Sequence, residues 1–504
     1  MEAYEHRAGE VFGRSRKRQF PAIRRMSFTS FRVEGTNLAA GEPSRFAQVL
    51  ERIALARLRL PVFHASSCRF MNLCLFEDAH VLHLRPLVET RAAFDLRLGI
   101  RSIVETTCDT FDVDAQRLAL HTRPALAAVT QRNHPGAQVL SADASTHGQR
   151  LSGDVLFVNG RWIATGSSVE ALKTAVRSRD RACSFTAEDT VVAAWIPGTD
   201  LPADAFERDD LTSVFSDLPT ETLNGEPQLI RHPWDLIGHI GASIRRDFRD
   251  LLSYNMPEDV YDRTNATVHP SVVATAPENI YIAPGATIKP GVILDGSTGP
   301  IYIDTDATIF EQAVVKGPVY LGAKSQIKIQ ANIANTAIGT WSKVGGEVHD
   351  SVLHSLSNKG HQGFLGHSYL GRWCNLGADT NTSNLKNDYG DVTAYDPAQG
   401  EFVDTGRQFA GLFMGDHSKC GINTMFNTGT VIGSGCNLFG GDFPPRYVPP
   451  FSWGHPRDGF STYRVDKALE VADAVMRRRD RHLDEAEATL LRSLHDQSAA
   501  ERTA

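Results

Sequence analysis

Between Gly345 and Thr382 the chain reads GGEVHDSVLHSLSNKGHQGFLGHSYLGRWCNLGADTNT, and groups able to do chemistry crowd into it. Glu347, His349, His354, Lys359, His361, His367 and Asn375 fall there, with Asn384 just beyond. An imidazole of ordinary pKa is mostly neutral at pH 7. It can take a proton from an attacking amine, help that is typically worth about 10²–10⁴ in rate. Lysine offers charge to an anion, and asparagine can orient hydroxyls. Such groups work only if something holds them still.

The spacing of the apolar residues says what does. Phe364, Leu370, Leu376 and Thr382 recur every six residues, with glycines and small residues between them. That period belongs to neither a helix nor an alternating strand; it is the hexapeptide signature of a parallel β-helix. The same period holds Ile282, Ile288 and Leu294, then Ile303, Ile309, Val315, Leu321, Ile327 and Ile333. It returns at Met414, Cys420, Phe426, Ile432 and Leu438. A left-handed β-helix is therefore expected over residues 264–455, interrupted by an excursion loop between Lys386 and Gly411. The segment GDFPPRYVPPFSWG should end the stack, because proline cannot extend a ladder. Residues 463–504 read as one C-terminal helix, with Leu469, Ala472, Val475, Leu483, Ala486, Leu490 and Leu494 inward.

Upstream, residues 71–255 mix strand and helix patterns and predict an α/β domain of about 180 residues, within the usual range. MNLCLFED, from Met71, is a buried-strand run, and Val191–Ile196 is another. Val155–Ala164 suggests a hairpin turning at Asn159–Gly160. Pro233 opens a helix whose apolar face is Trp234, Ile237, Ile240, Ile244, Phe248 and Leu251. Residues 1–70, with a basic cluster from Arg14 to Arg25, read as a poorly ordered or dispensable extension. The 504 residues are 41% hydrophobic and 22% charged, which is soluble-globular composition and long enough for more than one domain. A net charge of -7 argues against nucleic acid as partner, and no apolar run approaches a membrane span. Seven scattered cysteines with no C-x-x-C pair fit a reducing, cytoplasmic setting rather than a disulfide framework.

With the hexads and SNKGHQGFLGHSYLGRWCNLGADTNTSNLKN in view, the chain resembles the bifunctional N-acetylglucosamine-1-phosphate uridyltransferase/glucosamine-1-phosphate acetyltransferases, and more closely their alternative bacterial, GlmU-like branch of sugar nucleotidyltransferases. The resemblance covers roughly Met71 to Trp453 and is strongest in the β-helix. It implies that His361, in Gly360-His361-Gln362-Gly363-Phe364-Leu365-Gly366, is the catalytic base. Glu347, His349, Lys359, Phe364, Asn375 and Asn384 would then bind the amino sugar or its phosphate. Ala378, in Asn375-Leu376-Gly377-Ala378-Asp379-Thr380, would line the acetyl-CoA channel with Asn423 and Thr424. In the α/β domain the branch pattern falls on Phe76-Glu77-Asp78, Arg91 and Phe94-Asp95-Leu96-Arg97. Arg91 and Arg97 would hold nucleotide phosphates, and Asp78 or Asp95 would hold Mg²⁺ with UTP.

The departures are also plain. Ala331 stands where the family has a phosphate-clamping arginine, His349 where it has a lysine, and Phe364 where it has a tyrosine. No glycine occurs from Met71 to Leu98, so the usual phosphate-cradling loop is missing. His349, His354 and His367 raise a rival reading, a three-histidine metal site like that of the γ-class carbonic anhydrases. The arginine–aspartate pattern accompanying that site is missing, and no metal is assigned. The resemblance implies transfer of an acyl group from acetyl-CoA to an amino sugar phosphate, coupled to formation of a UDP-sugar, in a homotrimer. Two other readings stay open: an acyltransferase whose N-terminal domain is non-catalytic, and a non-catalytic trimeric scaffold.

Overall fold

Leu73–Phe76 carry no group that needs water, and they form the centre of β1 (Asn72–Phe76), fully buried. Strands apolar on both faces belong inside a parallel sheet covered on both sides. β1 indeed lies parallel to β2 (Leu118–His121) on one side and to β4 (Val155–Asn159) on the other. With β3 (Gln138–Leu140), β5 (Cys183–Ala187), β6 (Thr190–Ile196) and β7 (Thr220–Thr222), the order is β3-β2-β1-β4-β6-β5-β7. This computed structural model describes residues 71–142, 153–177, 179–198, 210–255 and 266–503, with Leu151, Phe206 and Arg208. The expected extension over residues 1–70 lies outside the described residues.

The hairpin expected over Val155–Ala164 does not form. Both edges of β4 are already taken, by β1 and by antiparallel β6, so Arg161–Ala164 must leave the sheet. Asn159 faces inward, donating to Asp78 (2.8 Å) and to the Val191 carbonyl (2.9 Å). The helices of this part are α1 (Ile103–Phe111), α2 (Ala127–Asn133), α3 (Ser167–Val176), α4 (Thr212–Phe215) and α5 (Asp235–Asn255). Ser102 caps α1 with a reciprocal bond pair to Glu105. Helix α5 buries Leu236, Ile237, Ile240, Ile244 and Phe248, as its spacing requires.

Short parallel strands then wind into a left-handed β-helix whose interior is a column of Ile, Val and Leu. Ile282, Ile303, Leu321, Ile338, Leu353, Leu370, Met414, Ile432 and Val448 fill one face from within. The period is not strict through the polar segment. Leu365, not Phe364, occupies the interior, stacked in register on Val348. A one-residue shift turns a side chain to the opposite face, so Phe364 points outward. Lys359 takes an interior position beneath Val344.

The excursion between Lys386 and Gly411 folds as an antiparallel hairpin, Thr393–Asp396 with Glu401–Asp404, and buries Val392 and Ala394. The proline-rich segment does not end the stack. Tyr447–Val448 and Ser452–His455 each pair in parallel with the coil before, while Pro449 and Pro450 sit between them where no ladder bond is needed. Gly459–Thr462 then closes the end as an antiparallel strand. The single C-terminal helix is instead two, α6 (Val465–Arg477) and α7 (Glu485–Gln497). The charged run after Arg477 breaks it: Asp480 has φ +55°, and Asp484 caps α7 by accepting from the Glu487 amide.

The α/β part and the β-helix share one core. Outside the coils, Tyr281, Tyr302, Tyr320, Ala337, Val352, Tyr369, Phe413, Val431 and Tyr447 stack in register. This ridge packs against the α/β part; Phe248 meets Tyr302, and Trp234 meets Phe413, edge to face. The described residues from Met71 onward form a single compact unit. No described helix is long and apolar enough to cross a membrane.

Candidate active site

One outer face of the β-helix carries a ladder of side chains placed just before each inward residue. Gln326, Lys343, Asn358, Asn375 and Lys419 follow one another from coil to coil. Over this ladder lies helix α6, and between them opens a cavity of about 680 Å³. His361, Asn375, Ala378 and Ile422 line one side, and Val471, Val475, Arg478 and Arg479 the other. Among the described residues five cations line it, Lys328, Lys343, Lys419, Arg478 and Arg479, and no carboxylate does. Arg479 donates to Asn358 Oδ1 (3.0 Å), which ties the end of α6 to the ladder.

Crowding like charges in a half-enclosed space disfavours the charged forms. Burial pushes the Lys419 ammonium down to about 8, and its Nζ donates to the His417 carbonyl (2.8 Å). Burial, then the charges of Arg479, Lys328 and Arg478, lowers Lys343. Burial and its neighbour Arg478 lower Arg479. A polyanion entering here would relieve that strain, so the cavity is electrostatically prepared for one. His361 stands exposed at its wall, on the corner formed by His361–Gly363. Its ring makes no hydrogen bond among the described residues.

The structure divides the residues expected to bind substrate. His361, Asn375 and Ala378 line the cavity, and Asn423 sits on the same corner as Ala378, donating its amide to the Ala378 carbonyl (2.8 Å). Thr424 is buried and bonds back to Gly421, so its hydroxyl is not open to a ligand. Lys359 is 1% exposed, and its Nζ donates to the carbonyls of Gly345, His361 and Gln362. The charge expected to meet a substrate anion thus faces inward and braces the His361 corner. Burial brings its pKa down to about 8.

Glu347, His349, Phe364 and Asn384 lie round the corner on the next face. There His349 stacks edge to face on Phe364 and approaches Asp350 at 2.9 Å, while Asn384 meets His367 Nδ1 at 2.8 Å. Asp350 and His367 both adopt left-handed backbone at a coil corner, which brings the histidines of successive coils together. His354 is not with them. It is buried under the α/β part and bonded to the Asp95 carbonyl, so the His349–His354–His367 trio of the rival metal reading does not assemble.

The residues expected to hold nucleotide are engaged within the chain. Asp78 is buried and takes a bidentate pair from Arg161 Nε (2.8 Å) and Nη2 (2.5 Å). Arg91, 2% exposed, is paired with Asp416 of the β-helix. Asp95 meets His134 at 2.7 Å. Arg97 lies over the Tyr320 ring, its amide donating to the Tyr369 hydroxyl (3.0 Å). In this arrangement the phosphate fork expected of Arg91 and Arg97 is closed, because both guanidiniums hold the junction between the α/β part and the β-helix.

Sequence reading missed Lys343, Lys419, Arg478 and Arg479. The first two were findable, since each precedes an inward hexad position just as Asn358 and Asn375 do. The arginines could not be placed without knowing where α6 returns.

Residues 73–254 match the family model described as sugar nucleotidyl transferase. Over 102 residues the chain is 33% identical to the bifunctional protein GlmU of Methanocaldococcus jannaschii, spanning 20% of this chain and 23% of that protein. It is 31% identical over 109 residues to a bifunctional sugar-1-phosphate nucleotidylyltransferase/acetyltransferase of Sulfurisphaera tokodaii, spanning 21% of this chain and 27% of that one. Over 150 residues it is 31% identical to the uncharacterized acetyltransferase YaiX of Escherichia coli, spanning 29% and 64%. The chain thus spans about a quarter of the first two relatives and under two thirds of the third. Among solved structures, the polySia-specific acetyltransferase NeuO aligns at TM-score 0.24 and 11% identity, covering 43% of this chain and 98% of that one. An Arabidopsis UDP-N-acetylglucosamine acyltransferase aligns at TM-score 0.23 and 13% identity, covering 48% and 98%. By the family match over residues 73–254 and its own strand order, the chain joins a sugar-nucleotidyltransferase-type α/β part to a left-handed β-helix with C-terminal helices.

Proposed function

We propose that this protein is a transferase that moves an acyl group from acetyl-CoA to the amine of an amino sugar or its phosphate, as the GlmU-like resemblance implies. The observation that carries the reading is the cavity beside His361, with five cations and no carboxylate among its lining residues. The phosphates of CoA suit that wall, and the thioester can then reach the His361 corner. There the amine nitrogen forms a bond to the thioester carbon, the carbon–sulfur bond breaks, CoA leaves as the thiolate, and His361 takes the proton the nitrogen loses. Asn375 orients a hydroxyl at the cavity wall. His349, Phe364 and Asn384 of a neighbouring subunit complete the sugar side in a homotrimer.

Screening amino sugars and their 1-phosphates for acetyl-CoA-dependent acylation tests this directly. Turnover of one of them is the expected result. An absence of both turnover and CoA binding by the purified protein would leave the scaffold reading.

A second reading concerns the α/β part, and the internal pairing of Asp78, Arg91 and Arg97 favours it. The part positions the β-helix and does not itself transfer a nucleotidyl group. Pyrophosphate release with UTP and Mg²⁺ separates the two: release supports the bifunctional assignment, and its absence alongside acyl transfer supports the second.

A further inference from the structure

The strand order of the α/β sheet has a reversal. From β1 the chain moves to β2 and β3 on one side, then returns to place β4 on the other. In open α/β sheets the crevice at the carboxyl ends of such strands is where ligands bind. Here that crevice is a cavity of about 160 Å³ lined by His80, His83, Arg161, Thr190, Arg231, His232 and Gln399. His80 and His83 lie on the turn after β1, Arg161 follows β4, and His232 precedes α5. The β-helix reaches in from the other side: Asp396, at the end of the excursion hairpin's first strand, meets the two histidines.

We propose that His83, His232 and Asp396 bind one divalent transition-metal cation of the zinc, cobalt or ferrous type. The ligand atoms are His83 Nδ1, His232 Nε2 and Asp396 Oδ2, all within 4.8 Å of one another. His83 Nδ1 is 2.6 Å and His232 Nε2 3.5 Å from that carboxylate oxygen. A tetrahedral ion with bonds of 2.0–2.1 Å sets its ligand atoms about 3.3 Å apart. The His232 spacing already fits, and the His83 ring must withdraw by a fraction of an ångström. Two imidazoles and a carboxylate suit such ions and not Mg²⁺, which prefers an all-oxygen set.

Charge balance supports the assignment. The Asp396 side chain is 0% exposed, and its ion-pair partners among the described residues are these two histidines. Its other bonds come from neutral donors, the Ala398 amide on Oδ1 (2.9 Å) and the Gln399 amide on Oδ2 (3.0 Å). A buried carboxylate needs a cation. His232 turns its Nε2 toward that buried carboxylate oxygen from the segment just before α5. Its ring is held flat against Trp234 at 4.6 Å, which fixes the direction of the ligating nitrogen. A dication would tie three separate segments together, and a further coordination position would face the cavity.

The full-length chain, stripped with a chelator, should bind one Co²⁺ with the intense visible bands of a four- or five-coordinate site. Loss of a directly ligating group should weaken binding by about 100-fold or more, since even outer partners are worth about 10–100-fold. That loss is expected in His232→Ala and in Asp396→Asn, each checked for native circular dichroism. His349→Ala, which alters the other histidine–carboxylate cluster on the β-helix, should keep full affinity. Unchanged binding in both His232→Ala and Asp396→Asn overturns the assignment, as does binding lost in His349→Ala instead. X-ray absorption on the wild-type Zn²⁺ complex needs no variant. A shell with two imidazole nitrogens is expected; an all-oxygen or sulfur shell refutes the site.

Discussion

At the scale of single residues, the His361 corner combines an exposed imidazole with a lysine turned inward beneath it. His361→Ala should lower kcat for acyl transfer by about 10²–10⁴ while KM for acetyl-CoA changes little. Arg479→Ala should do the opposite, raising KM with kcat nearly kept, because it removes binding common to ground and transition states. Steady-state kinetics of the two variants side by side separates the roles. Lys359 makes a different prediction. Its pKa is about 8 when folded, against about 10.4 in an unfolded chain. Between those values the unfolded state binds more protons, so stability contributed by this residue rises with pH from 8 to 10.4. Lys419 is shifted the same way and adds to the slope. Lys359→Met should flatten that slope and lose about 1–3 kcal/mol at pH 7, because carbonyls in the coil lose their donor. Melting temperatures at pH 7 and 9.5 check both parts; an unchanged slope would mean Lys359 keeps an ordinary pKa.

At the scale of elements, what the sequence disclosed depended on how strictly an element repeats. The β-helix announced itself because each short strand turns apolar side chains into the same narrow interior, so inward residues must recur. Central strands β1, β4 and β6 were visible as unbroken apolar runs. Register was the weak point, since glycine-rich coils shorten or lengthen by a residue without breaking the pattern by eye. Leu365→Ala should therefore cost about 2–5 kcal/mol in urea unfolding, as a large core truncation does. Phe364→Ala should cost under about 1 kcal/mol, because that ring is only half-buried outside the coil, edge to face with His349. The reverse ranking would restore Phe364 to the interior. The break between α6 and α7 was legible in hindsight, in Asp480 and the capping Asp484. The apolar reading overlooked it because both helices keep leucines at compatible spacing.

At the scale of the whole molecule, the sequence was silent on how the α/β part meets the β-helix. Its one signal was Tyr or Phe beside the inward residues of several coils, as in Ile280-Tyr281-Ile282 and Ile301-Tyr302-Ile303. Residues from distant segments complete the junction, and no local pattern could pair them. Arg91 and Asp416 are the clearest case, 325 positions apart and both buried. Asp416 also accepts from Thr90 Oγ1 (2.8 Å) and from the Arg372 amide (2.7 Å). Removing it would leave the Arg91 guanidinium buried without its anion, beside Arg372, whose own pKa is lowered first by burial and then by the charge of Arg91. Asp416→Ala should therefore destabilise by about 3–5 kcal/mol. Replacing both partners, Arg91→Leu with Asp416→Leu, should recover much of that loss, since the isolated charge is what costs most. Because one core spans both parts, the wild type should unfold in a single denaturant transition. Asp416→Ala should shift that transition without splitting it. Two separated transitions, or a double substitution as damaging as the sum of its singles, would mean the parts fold independently and the pair only decorates their contact.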